Sequence, residues 1–245
     1  MSSVSIANQT LQVRVRRGDA HNQHFDEFEV PRRTSQTVLD VVTWIQRNRA
    51  PDLSYRFACR VGMCGSCAMM VNGVPRWTCR SHVEHVMSGT TLVLEPLRNL
   101  PVIKDLTCDM HEFFDKWQAV GARFEPSKTR NDEIPALSPN SPERQAADAA
   151  IECINCAVCY AACDVVDMNT DYVGPAALNR AWTLQNDSRD AGKRARFNRI
   201  AAAGGCTACH SQANCSAHCP VELNPSASIA GLKRALFVSA FQGKS

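Results

Sequence analysis

The run Cys59-Arg60-Val61-Gly62-Met63-Cys64-Gly65-Ser66-Cys67 decides how the first half of this chain folds. Three thiols at Cys-x4-Cys-x2-Cys spacing, with a fourth at Cys79, ask for a tight loop whose backbone amides turn inward. Gly62 and Gly65 supply the unusual dihedrals that such a loop needs. Downstream, Ala68 to Val71 and Val74 to Trp77 flank Asn72-Gly73, a turn that predicts a β-hairpin with Cys79 just beyond it. Upstream, Leu11, Val13 and Val15 alternate with polar residues, and Phe25, Phe28 and Val30 predict a second strand closed by Pro31. Thr34 or Ser35 is placed to cap a helix with Val38, Leu39, Val42 and Ile45 on one face. Thr91 to Leu94 adds a further strand. The expectation is a compact sheet packed on one helix.

The spacing of Cys59, Cys64, Cys67 and Cys79 is that of a plant-type 2Fe–2S centre. Thiolate donors suit such a centre because sulfur delocalises the charge on iron. A four-cysteine zinc site is the alternative, but zinc usually takes two knuckles of closely spaced pairs. A second motif, Cys153, Cys156, Cys159 and Cys163, has the Cys-x2-Cys-x2-Cys-x3-Cys spacing of bacterial ferredoxins, in which the fourth cysteine serves the other cluster. The matching segment is Cys209, Cys215 and Cys219-Pro220, and Gln212 stands where its middle thiol should be. Cys153, Cys156, Cys159 and Cys219 then complete a 4Fe–4S centre. Cys163, Cys209 and Cys215 leave the other centre one thiolate short, which predicts a 3Fe–4S cluster. Cys206, three residues before Cys209, is an alternative for the missing ligand but is out of frame and reads as a bystander, and Cys108 as an ordinary buried thiol on an apolar helix face.

From Asp105 onward the pattern reads as helical. Met110, Phe113, Phe114 and Trp117 share a face that is most simply core. Residues 124–142 hold several prolines and little periodicity, an irregular connector. Helices are expected over roughly Pro175 to Asn186, Ala191 to Ala202 and Pro225 to Phe241. The division falls at residues 1–104 and 105–245. Thirteen cysteines in 245 residues, an odd number at tight spacings, favour metal ligation over disulfides. A net charge of +3 gives no reason to expect nucleic acid. No apolar run is long enough to cross a bilayer, and Met1 to Thr10 lacks the marks of a secretory signal, so a cytoplasmic protein is expected. His21, His24, His82, His85, His111 and His218 are scattered, and no side chain reads as a nucleophile or general base, so no catalytic residue is assigned.

Several segments together carry a family resemblance. They are Cys59 to Cys67, Cys153 to Cys163, Gly174-Pro175-Ala176-Ala177-Leu178, Asn186-Asp187-Ser188-Arg189-Asp190, Cys209-His210, and Asn214-Cys215 with Cys219-Pro220. In these the chain resembles the iron–sulfur subunit of succinate dehydrogenase and fumarate reductase over nearly its whole length, with wording closer to the bacterial fumarate reductases. The resemblance implies an α+β protein, an N-terminal β-grasp 2Fe–2S ferredoxin domain followed by an all-α dicluster ferredoxin domain. It implies a flavoprotein partner with covalent FAD at the 2Fe–2S end. It also implies membrane anchor subunits, in some cases with heme b, and a quinone at the 3Fe–4S end, with His210 and Lys233 near the quinone head. The chain would then lie peripherally on the cytoplasmic side of the inner membrane. Two departures fall at that end: Asp164 stands where relatives have proline, and Asp167 and Met168 occupy a stretch where some dehydrogenases carry tryptophan. The alternatives are a related flavoprotein acting on another carboxylate, or a diffusible ferredoxin-like carrier.

Overall fold

By alternating apolar and polar residues, β1 (Thr10–Gly18), an interior strand of the sheet, leaves Leu11, Val13 and Val15 buried and their neighbours turned out. It pairs antiparallel with β2 (Gln23–Pro31), Thr10 opposite Pro31, and parallel with β5 (Thr91–Glu95). The hairpin of β3 (Ala68–Val71) and β4 (Val74–Trp77) turns at Asn72 and Gly73, whose φ angles are 49° and 76°. Both are left-handed, as the favoured two-residue turn requires. The strand order is β2-β1-β5-β3-β4. Helix α1 (Val38–Asn48) lays Val38, Val41, Val42 and Ile45 against Val13, Val15, Met69, Val71, Leu92 and Leu94. This is the expected grasp of a sheet around a helix.

The computed structural model describes residues 10–87, 89–133 and 136–241. Met1 to Gln9, read above for an export signal, and Ile134 and Pro135 of the connector lie outside the described residues. The chain divides into two compact units, one running to Met110 and including Ile154–Ala161, the other built from His111–Cys153 and the residues from Ala162 on.

Three local expectations are corrected in the first unit. The cap of α1 is Thr37, not Thr34 or Ser35. Thr37 accepts from the Asp40 amide while the Asp40 carboxylate accepts from the Thr37 amide, a reciprocal box that outweighs any earlier hydroxyl. Asp105 does not open a helix: β6 (Val102–Lys104) pairs with β7 (Thr107–Cys108) across it. Its buried carboxylate accepts from Arg17 Nε at 3.1 Å and from the amides of Gly18 and Ser54, both at 2.8 Å, which ties this stretch to the sheet. Cys108 therefore sits on a strand, buried as expected, with its Sγ 3.6 Å from the Leu97 carbonyl. A short helix α2 (Val83–Val86) completes the connection before β5.

The second unit is helical. Of the apolar stripe, only Phe113 of α3 (His111–Ala119) is buried, and Phe114 is 38% exposed. At the end of the connector begins a helix the sequence did not announce, α4 (Pro142–Ala147), capped by Ser141. Following α5 (Val158–Ala161, in the first unit) and α6 (Asp164–Met168), helix α7 (Pro175–Asn186) is the axis of the unit. It buries Ala176, Ala177, Leu178, Ala181 and Leu184 and lies against α3, α4, α8 (Lys193–Ala201) and α10 (Pro225–Phe241). The short α9 (Asn214–Ala217) precedes α10. Proline at the first turn of α7 and of α10 fits a position with no amide to satisfy. The segment Asn186 to Asp190 ends α7: Arg189 forks onto Asp187 at 2.9 and 2.7 Å, and Asp190 turns inward to Arg196 at 2.8 Å. No helix among the described residues is long and apolar enough to cross a membrane.

Candidate functional site

In the sheet unit, the backbone from Cys59 to Cys67 folds so that amides meet sulfurs. The Met63 amide donates to Cys59 Sγ at 3.2 Å, and the Cys59 amide to Cys64 Sγ at 3.5 Å. Donation from the Cys59 amide, then from the Ser66 hydroxyl, holds the Cys64 thiol down at about 6, well below an ordinary thiol. Cys79 is pushed up to about 12, first by burial and then by the neighbouring Cys67 and Cys59, so these sulfurs share one small region. Cys67 and Cys79 pack with Leu39 under Tyr55 and Trp77. The loop needs its glycines: Gly62 has φ +80°, and a Cβ there would come within 2.8 Å of the Trp77 ring. Around the rim Val61 and Met63 are 58% and 70% exposed, and Arg60 lies over the Phe57 ring at 4.7 Å.

A second group of sulfurs gathers in the helical unit. Cys163 is the N-cap residue of α6, and its thiol is raised by burial while the amides of Val166 and Val165 pull the other way. Cys215, at the start of α9, is pushed up to about 11 by burial, and Cys163 and Cys209 each add to that rise. Tyr172, 1% exposed, sets its hydroxyl among Cys209, Cys163 and Cys215; burial and those sulfurs hold it strongly in the neutral form. Tyr172 is a site residue that the cysteine frame missed. The loop between Cys209 and Cys215 turns through left-handed Ser211 (φ 61°) and Ala213 (φ 65°), and the Ser211 amide donates to Cys209 Sγ at 3.3 Å. Gln212 between them is exposed.

Lys233 on α10 reaches into this loop, its Nζ 2.6 Å from the Cys209 carbonyl and 3.4 Å from Ser211 Oγ. His210, next in sequence to Cys209, is exposed. Cys206 is fully buried next to Cys209; burial raises its thiol and the Lys233 ammonium opposes the rise. Asp164 occupies the first position of α6, a slot that suits proline through its fixed φ and an acid through the helix dipole. Cys153 and Cys219 lie in the helical unit, while Cys156 and Cys159 lie in the segment grouped with the sheet.

The donor chemistry fits iron–sulfur clusters. Soft thiols stand in reach of inward amides, the arrangement that carries a negative sulfur cluster, and bulk is excluded at the glycine where a Cβ would intrude. Among the described residues no three His, Cys, Asp or Glu side chains close on a point that would hold a single ion. A polynuclear cluster sets no such condition, since no more than two of its thiolates share one iron.

Comparison with known proteins matches two segments of the chain to cluster-binding families. Residues 10–115 match the family described as a 2Fe-2S iron-sulfur cluster binding domain, and residues 152–224 match the 4Fe-4S dicluster domain. The fumarate reductase iron-sulfur subunit of Mycobacterium tuberculosis (strain CDC 1551 / Oshkosh) is 37% identical over 209 residues, 84% of this chain and 83% of that protein. That of Escherichia coli O157:H7 is 35% identical over 207 residues, with the same coverage. The mitochondrial succinate dehydrogenase [ubiquinone] iron-sulfur subunit 1 of Oryza sativa subsp. japonica is 36% identical over 202 residues, 80% of this chain and 70% of that one. A chain of the Mycobacterium smegmatis Sdh1 complex in the apo form shares the fold, with a TM-score of 0.82 at 24% identity, covering 92% of this chain and 95% of that chain.

Proposed function

From the membership of this chain in the family of fumarate reductase and succinate dehydrogenase iron–sulfur subunits, we propose how its residues perform that family's work. The chain is an electron-transfer iron–sulfur subunit of a succinate:quinone oxidoreductase complex and carries 2Fe–2S and 4Fe–4S centres. We assign Cys59, Cys64, Cys67 and Cys79 to the 2Fe–2S centre and Cys153, Cys156, Cys159 and Cys219 to the 4Fe–4S centre. Cys163, Cys209 and Cys215 take a third, 3Fe–4S centre. Bound clusters of these kinds take up and release single electrons.

The chain's own groups set where and how easily that happens. The amides of Cys59, Met63 and Ser211 place positive dipole ends on ligand sulfurs and favour the more negative, reduced state. Lys233 holds the Cys209 carbonyl and brings a positive charge to the same loop. A partner flavoprotein with covalent FAD meets the 2Fe–2S end, and a quinone held with membrane anchor subunits meets the 3Fe–4S end, served by His210 and Lys233. The chain is thereby peripheral on the cytoplasmic side of the membrane, and proton and hydride chemistry on the carboxylate substrate belongs to the flavoprotein.

The observation that carries the third centre is the gathering of Cys163, Cys209 and Cys215 about Tyr172 while Gln212 stays in solvent. The complex purified without air should contain about nine iron atoms in this subunit, the sum over the three cluster types. It should show the oxidised-state EPR signal of a 3Fe–4S centre and contain a flavoprotein. Iron near half that value, or the absence of that signal, would refute the assignment. The subunit alone should not oxidise succinate with any artificial acceptor.

A further inference from the structure

Two stretches that serve different clusters meet backbone to backbone. Gly65, between Cys64 and Cys67, has φ +68°, and a Cβ built on it would lie 2.7 Å from Cys156 Cβ, 2.8 Å from Cys156 Cα and 3.0 Å from the Ile154 carbonyl oxygen. None of these atoms ends a flexible side chain, so none can swing aside. The meeting is secured from the other side as well. Asn99 Nδ2 donates to the Tyr160 carbonyl at 3.0 Å, Val158 and Tyr160 are buried, and α5 lies against β4. Cys156 itself is presented between two left-handed residues, Asn155 (φ 51°) and Ala157 (φ 61°).

We propose that Gly65 is a positioning residue for electron transfer: its missing side chain lets the 2Fe–2S loop close onto Cys156 and so fixes the spacing between that centre and the 4Fe–4S centre. The proposal rests on the ligand assignment made above for Cys156. One electron leaves one centre and arrives at the other, with no bond formed and no proton moved. Beside the potentials, spacing and contact are what the chain sets at this step, and Gly65 bears on both.

A plainer reading is that φ +68° alone demands glycine. Gly62 separates the two. It lies in the same loop at φ +80°, but its added Cβ would meet Trp77 and Arg80 rather than Cys156. Gly62→Ala therefore carries the backbone strain without the spacing effect. The test is EPR on the intact complex with both centres reduced. The neighbouring spin speeds relaxation of the 2Fe–2S signal through a dipolar coupling that falls with the inverse cube of distance. Gly65→Ala should keep the integrated 2Fe–2S signal and lose much of that relaxation enhancement, while Gly62→Ala keeps it. Wild-type enhancement in Gly65→Ala with both clusters present would overturn the proposal. If Gly65→Ala fails to load its cluster, Asn99→Gly decides. It preserves the left-handed backbone (φ 64°) and releases the far clamp. Weakened enhancement there supports the proposal, and unchanged enhancement overturns it. A Cys156→Ser complex that keeps its 4Fe–4S signal unaltered would instead sink the ligand assignment, which is a separate failure.

Discussion

Replacing Arg196 by methionine should loosen the helical unit far more than any surface change. The Arg196 and Asp190 side chains are 1% and 0% exposed and 2.8 Å apart, with a second contact at 3.2 Å. The same guanidinium donates to the carbonyls of Gly121 at 2.8 Å and Arg123 at 3.2 Å, pinning the 121–125 turn to α8. Methionine fills the space and leaves Asp190 as a buried charge still served by the amides of Glu125 and Gly192 and by the more distant Arg180 charge. Breaking a buried pair on one side costs about 3–5 kcal/mol. The two amides keep the loss near the lower end, and each orphaned carbonyl adds about 1 kcal/mol. A total of about 5 kcal/mol is large against a domain stability of about 5–15 kcal/mol. Hydrogen exchange followed by mass spectrometry on the cluster-loaded protein reads it directly. Amides of α8 should exchange several thousandfold faster, since about 1.4 kcal/mol is a factor of ten. Acceleration below tenfold would show that the pair contributes little and that packing of Ile200 and α7 holds this region instead.

Four further outcomes are expected. Gly231 of α10 faces the Trp182 ring, where an added Cβ would lie 2.5 Å from the nearest ring atom. Gly231→Leu should therefore cost about 3 kcal/mol in overpacking against about 1 kcal/mol gained in helix propensity, a Tm several degrees lower by calorimetry; an unchanged Tm refutes the contact. Gln212→Cys restores the missing thiolate in the cysteine frame and should weaken or abolish the oxidised 3Fe–4S EPR signal, whereas a full-strength signal with clusters loaded would return attention to Cys206. Lys233→Met removes a positive charge beside the Cys209 loop, so the third centre's potential should fall in an EPR redox titration and quinone-linked turnover should slow while dye-linked flavin turnover stays; an unmoved potential contradicts this. The Arg189 guanidinium holds the Asp187 carboxyl below its ordinary 3.8, so the pair's contribution is present above that value and lost as pH falls through the lower folded value. Asp187→Asn should consequently narrow its stability gap from wild type in strong acid, by denaturation at matched pH values.

Much of the fold was readable because its signals are local. The alternation in β1, the left-handed turn at Asn72-Gly73 and the proline starts of α7 and α10 depend on neighbours a few residues away. The cap of α1 was misread because Thr34, Ser35 and Thr37 differ only in which one has an acid three residues on; the Ser35 backbone, at φ 56°, takes no part in the capping box. Asp105 was misread for a different reason. Its role is to answer Arg17, and nothing in its own vicinity announces a partner 88 residues away in sequence. Tyr172 escaped similarly: thiol spacing names the ligands, but a hydroxyl folded in among them carries no spacing of its own. The tether of Lys233 to the Cys209 carbonyl was likewise hidden, since position along α10 says which face a residue occupies and not what loop it meets.

The strip Ile154–Ala161 also governs the order in which this protein can become finished. A chain emerging from the ribosome completes β5 and the β6–β7 hairpin well before Tyr160 exists, yet Tyr160 is 1% exposed and its carbonyl is held from Asn99, 61 residues earlier. Until that strip arrives, the flank of β4 that receives α5 stands bare, with the added loop-closure entropy of a long intervening segment still to be met. A fragment ending near residue 104 would therefore be an unfinished body, prone to self-association through that flank. The same fragment carrying Ile154–Ala161 on a short linker should be soluble and monomeric, and the smallest independently folding piece of this chain is in that sense discontinuous along its own sequence.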